Sequence, residues 1–386
     1  MSNHAKLGPS AAHRWMTCTG SVAAVEAAME RLGEEKAGPA AELGTALHEA
    51  AEWCLTENEA PHNAVGKIFN GYEVLDEHLE WFEEYVYMVR GLTPGAELVA
   101  LEEQVEVIPD LVWGTADAIV IKDGVLYVVD LKTGYNRVDA HDNYQLMLYA
   151  LGAWLTYECV WSITKVVMVI SQPRINNLSR QEVGLDELVL FHTRVLDVVA
   201  EIEEGGELRP SEDACRYCRA RATCPALSGF ALEAAQQDFA DLDEAQLQYA
   251  YAQLPLLEIY IKGVKAGIME RLEKGIPVEG LKLVEGRKIR KWADEKHAEQ
   301  YLSRRLPKWK ENGYNHSLKS PAQMEKALKA HADELHRPVT EKMLDRLITQ
   351  SAGKPTIASE DDKRPALEYG DRARADFVDV EPSDKP

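Results

Sequence analysis

Apolar residues change their spacing several times along the first 230 positions, and each change predicts a change of element. Residues 1 to about 35 read as a short helical lead-in that contains Cys18. Residues 41–57, AELGTALHEAAEWCLTE, have helical composition and carry His48, and 73–91 read as a further amphipathic helix. From 97 to 131 the segments ELVALEEQVEVIP, VWGTADAIVIK and GVLYVVDLK are rich in Val, Ile and Tyr, which predicts strands. Helix returns over 141–155, a short apolar strand over 163–173 and a helix over about 185–204. The predicted fold class is therefore α/β for residues 1–227, with a mixed sheet flanked by helices. A mostly helical, basic region is expected over 228–350. It comprises a continuous helix at 239–274 ending at Gly275, a short basic strand or hairpin at 281–292, and helices at 294–306 and 321–348. From Ser351 onward the chain is polar and bears prolines, which predicts a disordered tail over 351–386.

The 386 residues leave room for two or three domains. A composition of 46% hydrophobic and 28% charged residues excludes collagenous, wholly disordered and disulfide-scaffold proteins. No run approaches the roughly 18 apolar residues of a membrane helix, and Met1–Ser10 lacks an apolar signal core. The expectation is a cytoplasmic protein without a membrane partner, whose six cysteines are thiols or metal ligands rather than disulfides. The net charge of −21 argues against nonspecific coating of nucleic acid. Lys282 to Lys329, however, carries +7, so any such contact is local.

The most informative stretch is 114–134, GTADAIVIKDGVLYVVDLKTG. Asp123-Gly124 suits a two-residue type I′ turn. A turn there pairs Lys122 with Val125 and sets Asp117 opposite Asp130, with Lys132 on the same face. Like charges opposed on a sheet are destabilising, and the Val- and Ile-rich neighbours indicate burial. Buried carboxylates must protonate or find a cation. Oxygen ligands suit Mg²⁺ or Mn²⁺, and a nearby Lys132 could orient or deprotonate an attacking water. An isolated acid-x-Lys triplet is more often an ordinary strand end; the opposed acid and the apolar surroundings set this one apart.

Gly114-x-x-Asp117, Asp130-Leu131-Lys132 and Gln145-x-x-x-Tyr149, in that order, resemble the signature of PD-(D/E)XK nucleases of the RecB-like branch. Gly44-x-x-x-His48 resembles the same branch's upstream histidine motif. The resemblance implies that His48, Asp117, Asp130 and the Leu131 carbonyl hold one or two Mg²⁺ or Mn²⁺ ions. It implies that Lys132 positions the water, and that Gln145 and Tyr149 line the site and contact DNA. Glu102 or Glu103 is a further candidate for an outer ligand.

Cys215-x2-Cys218-x5-Cys224 supplies three thiolates, and Cys18 is the natural fourth. Such a set reads as zinc or as iron–sulfur. One cysteine before the core and three after it resembles the iron–sulfur nucleases of the RecB-like group, AddB and the CRISPR-associated adaptation exonucleases among them. This resemblance implies a [4Fe-4S] cluster that staples the ends of the domain. Cys54 and Cys159 read as plain core residues. GPSAAHRWMTCTGS and LVEGRKIRKW resemble a phage-encoded family of unknown function.

In GRKIRKW and SRRLPKWK, basic residues alternate with tryptophans. Arg287, Lys288, Arg290 and Lys291 are candidate phosphate contacts and Trp292 a candidate stacking platform. The expected function is a metal-dependent DNA exonuclease that resects ends in phage recombination or repair. Its expected partners are DNA and a phage single-strand annealing or single-strand-binding protein, and it could form a homo-oligomer. The competing expectations are a non-cleaving DNA-end-binding protein on the same fold and a zinc-stabilised interaction module.

Overall fold

The computed structural model describes residues 5–33, 38–236, 243–286, 289–313, 318–331, 341–351 and 355–367. The chain forms two compact units, Met1–Val264 and Lys265–Pro386. The division falls inside the helix Glu244–Glu273, later than the boundary expected at 227.

The first unit is α/β. A two-residue ladder, β1 (Ile68–Phe69) and β2 (Tyr72–Glu73), precedes the main sheet. The sheet has five strands: β3 (Leu98–Ile108), β4 (Val112–Lys122), β5 (Val125–Leu131), β6 (Lys165–Gln172) and β7 (Asn177–Gly184). They lie side by side in chain order. All neighbours are antiparallel except β5 and β6, which are parallel and joined through the helix Tyr144–Tyr157. The sheet is therefore mixed, and a parallel pair requires such a crossover.

Helices cover both faces. On one face Ile119, Ile121, Leu126, Val128 and Met168 pack against Leu146, Leu151 and Val195 and against Trp15 of the lead-in. On the other, Ala118, Val129, Leu131 and Val167 meet Leu47, Ala51 and Cys54 of the helix Pro39–Thr56 and Val86 of the helix Glu83–Leu92. The β4–β5 turn has the predicted chemistry. Asp123 and Gly124 both have positive φ, 51° and 72°, as a type I′ turn requires, and Lys122 pairs with Val125.

Strand β7 was not anticipated. Its inward positions are Asn177, Ser179 and Val183, so two of three buried side chains are polar and no apolar alternation marks it. The helix expected over 73–91 is two helices, Asp76–Leu79 and Glu83–Leu92.

In the second unit β8 (Leu281–Glu285) and β9 (Ile289–Trp292) do not form the expected hairpin. Strand β9 pairs with β10 (Ile348–Ser351), and β8 with β11 (Pro355–Ser359). The segment 355–359 is thus a strand and not part of a disordered tail; 368–386 lie outside the described residues. A small core of Leu302, Leu306, Met324 and Leu328 joins the helices Glu295–Ser303 and Pro321–Ala330.

Candidate functional site

The acids gather where β3, β4 and β5 lose their regular pleat. In β4, Val112 and Ala116 face the first core, and so do Ile119 and Ile121. A strict period of two would place 116 and 119 on opposite faces. Across the ladder, Leu101 pairs with Ala118 and Glu103 with Ala116, so Glu102 stands opposite Asp117. Glu102 has φ of 45°, the left-handed region, a conformation that costs on the order of 1–3 kcal/mol in a non-glycine residue and is concentrated at functional sites. The β4–β5 ladder stops at Ala118 and Val129, one pair short of the aspartates. Asp117 turns instead to accept the Leu131 amide N–H at 2.6 Å.

This break brings His48, Glu102 and Asp117 together. One potential ligand atom from each lies within 4.8 Å of the others. His48 Nδ1 is 3.3 Å from Asp117 Oδ1. Asp130, 2% exposed, is held by Lys132 Nζ at 2.8 Å. Lys132 also donates to Gln145 Oε1 at 3.1 Å, and Gln145 Nε2 donates to the Tyr149 hydroxyl at 3.1 Å. All six side chains proposed for the centre are thus linked or adjacent. The Leu131 amide reaches the centre through Asp117. The set of three gains Glu102 and leaves Asp130 to the lysine. The sequence could not choose between Glu102 and Glu103; the structure sends Glu103 to the Tyr157 hydroxyl, 3.5 Å away.

Two glycines explain the motif spacing. A Cβ on Gly114 would lie 2.8 Å from Pro9 and 3.1 Å from the Tyr149 ring, and one on Gly44 would lie 3.3 Å from Thr133 Oγ1. Both positions let neighbouring elements close on the site.

Electrostatics mark the same spot. Burial, and after it the charge of Asp117, pushes Glu102 up to about 7. Burial and then Asp117 also raise Asp130, with Lys132 holding it back. Burial would lower His48, but Asp117 and Asp130 outweigh it and raise the imidazole to about 9. Burial likewise opposes the Lys132 charge, and Asp130 and Asp117 restore it above the ordinary lysine value. Tyr85, 3% exposed, is raised well above its ordinary value by burial and then by Asp117. No spacing signal had singled it out. Three carboxylates crowded beside one imidazole fit a divalent cation, with a nitrogen and several oxygens as donors.

A cleft of about 700 Å³ adjoins the site. Lys132 and Gln145 lie at one wall; Arg14 and Thr17 of the lead-in, Arg137, and Arg216 and Tyr217 line others.

The family described as "Protein of unknown function (DUF2800)" matches residues 4–365. The chain belongs to the DUF2800 family. Among solved structures, the DUF2800 chain is similar to one titled "Crystal structure of SSO0001". The identity is 15% over 54% of this chain and 95% of that one, with a TM-score of 0.25, too low to carry a structural argument.

The cysteine set of this DUF2800 chain lies where the lead-in meets residues 206–224. Cys18, Cys215 and Cys218 are buried and Cys224 half-buried. Burial pushes Cys215 up to about 11, opposed by a backbone hydrogen bond at Ser211 and reinforced by the other three thiols, so the four sulfurs share one neighbourhood. Among the described residues no three cysteine sulfurs lie within 4.8 Å of one another. The two stretches also meet through backbone and side-chain hydrogen bonds. Gly20 N–H donates to the Glu207 carbonyl at 2.9 Å, and Glu207 N–H to Thr19 Oγ1 at 2.8 Å. A Cβ on Gly206 (φ 62°) would fall 2.5 Å from the Thr19 backbone. No helix among the described residues is long and apolar enough to cross a membrane.

The candidate DNA contacts of the second unit fare differently. Arg287 and Lys288 lie outside the described residues. Arg290 makes a two-pronged ion pair with Glu325, at 2.6 and 3.0 Å. Trp292 packs on the local core and donates to the Lys319 carbonyl at 3.1 Å. Both have partners within their own unit. Lys291 is exposed.

Proposed function

We propose that this DUF2800 chain is a metal-dependent DNA nuclease on a PD-(D/E)XK-like core, most simply an exonuclease that resects ends in phage recombination or repair. The observation that supports it most is the convergence of Glu102, Asp117, Asp130, His48 and Lys132 beside an open, partly basic cleft. His48, Glu102 and Asp117 would hold the ion, with Asp130 alongside. A bound Mg²⁺ or Mn²⁺ supplies Lewis-acid polarisation and an activated water. The protein's own part is positioning. Asp117 is fixed by the Leu131 amide. Lys132, kept cationic between Asp130 and Gln145, is a donor that orients the attacking water and offsets phosphoryl charge, rather than a base. In hydrolysis the water oxygen would form a new bond to phosphorus as the P–O bond to the sugar breaks, and a water proton would pass to the departing sugar oxygen.

We also propose that Cys18, Cys215, Cys218 and Cys224 hold a [4Fe-4S] cluster. The layout that supports the cluster is one cysteine before the core and three after it, with structural Zn²⁺ as the alternative.

The test is incubation of anaerobically purified protein with end-labelled linear and with closed circular DNA, in Mg²⁺, Mn²⁺ or EDTA. Metal-dependent loss of the linear DNA alone is expected. Cutting of the circle would make it an endonuclease, and binding without cleavage under every metal would replace the reading with a non-cleaving end-binding protein.

A further inference from the structure

The segment joining Lys132 to the helix of Gln145 has almost no ladder of its own. Residues 133–141 are instead gripped by side chains from the end of β6 and the start of β7. Gln172, 1% exposed, is the centre of the grip. Its Nε2 donates to the carbonyls of Gly134 and Asn136, both at 2.8 Å. Its Oε1 accepts the Val138 amide and Asn177 Nδ2, both at 3.1 Å. One buried amide thus engages alternate residues 134, 136 and 138, as a neighbouring strand would.

Its neighbours complete the hold. Asn177 donates to the Val138 carbonyl at 2.8 Å. Ser179 donates to Asp139 at 2.7 Å and accepts the Ala140 amide at 3.0 Å. Arg174 Nη1 donates to the Thr133 carbonyl at 3.1 Å. Its guanidinium lies 3.4 Å from the Trp81 ring and 3.7 Å from the Tyr135 ring. At the far end Asn143 donates to the Asp139 carbonyl at 2.8 Å and caps the helix by accepting the Leu146 amide at 3.2 Å. Two residues further on stands Gln145, 3.1 Å from Lys132.

Buried polar groups are costly unless fully paired. The bonds centred on Gln172 favour one loop conformation, and that conformation fixes the span between Lys132 and Gln145. We propose that Gln172 is a positioning residue: through residues 134–138 it sets where Lys132 and Gln145 stand relative to one another. This rests on the nuclease reading for its catalytic consequence, and on the hydrogen bonds alone for its structural one.

The experiment compares full-length wild type, Gln172→Met and Gln172→Glu. The first variant keeps the length of the side chain and loses every hydrogen bond; the second keeps the acceptor and loses both donors. Hydrogen exchange of the segment 133–143 is read first, then kcat and KM on linear DNA with Mn²⁺. Exchange across 133–140 should rise at least tenfold in Gln172→Met, which frees the Val138 amide, and by a smaller factor in Gln172→Glu, which keeps that acceptor and loses only the donors to 134 and 136, with β4 and β5 unchanged. The kcat of both variants should fall at least tenfold, with KM and the Mn²⁺ requirement within about threefold. Unchanged exchange in both variants overturns the proposal whether or not the protein cuts DNA. Faster exchange with unchanged kcat, or a rise in KM alone, also overturns it. Faster exchange in the variants, with a wild type that cuts no DNA under any metal, keeps the hold on the segment, removes its catalytic role and counts against the nuclease reading. If Gln172→Met does not fold, Gln172→Glu carries the same comparison.

Discussion

The two units treat their charged side chains in opposite ways. Where the middle of β3 and β4 meets the end of β5, like charges are crowded together. Glu102 faces Asp117 across a strained backbone, and Asp130 is close enough to raise its neighbours. In the second unit Arg290 simply meets Glu325. The first arrangement costs stability and persists only if something else is gained. The second needs no ligand to explain it. A run of basic residues in a sequence is therefore weaker grounds for a binding site than a pair of acids that burial forces together.

The largest effect expected from this contrast is at Asp117 and Lys132. Asp117→Asn or Lys132→Met should lower DNA cleavage on the order of 10²–10³-fold; Lys132→Met should also lower the metal-free melting temperature, because it leaves the buried Asp130 without its cation. Retained cleavage would show that the crowding serves something other than chemistry. Next comes the cysteine closure. Cys215→Ser should lose bound iron, measured by metal analysis, and should destabilise the first unit, since a bound group contributes directly to folding. Unchanged iron content and melting would take Cys215 out of the ligand set.

A smaller effect concerns pH in the metal-free protein. The His48 pKa is raised to about 9 from the ordinary 6.5. The folded state then binds a proton more tightly than the unfolded chain. This contribution is complete below pH 6.5 and is lost as pH rises through about 9. Melting in EDTA should fall over that window, and the fall should be reduced in His48→Asn. An equal fall in both proteins would place the titration elsewhere. The smallest effects belong to the second unit. Lys291→Glu should reduce the salt slope of DNA binding by about one, whereas Arg290→Met should leave it unchanged and lower only the melting of that unit. An altered slope in Arg290→Met would mean that Glu325 releases the guanidinium to DNA and that the contrast between the units is weaker than drawn.

Much of the frame was legible because it depends on local rules. Asp123-Gly124 is a turn that few other dipeptides make, and it sets the register of β4 on β5. The helix of His48 and the i, i+4 pair of Gln145 and Tyr149 follow from helical periodicity, and that pair does bond side to side. Strand β7 escaped notice because its buried positions are polar and serve a loop 40 residues away in sequence. Strand β11 escaped notice because its apolar content is low and its partner lies more than 70 residues upstream.

The sequence by itself determined the order of elements, the turn that opposes β4 to β5, and the residue types that could form an acidic centre and a thiol cluster. Those are matters of backbone preference and spacing along one chain. Only the tertiary structure decided that Glu102 and not Glu103 enters the centre. It also decided that Asp117 leaves its ladder for Leu131 and His48, that Gln172 holds the loop behind Lys132, and that Arg290 belongs to Glu325. Each of these outcomes depends on which distant groups are brought within about 3 Å of one another, where hydrogen bonds and desolvation act, and no local pattern encodes that distance.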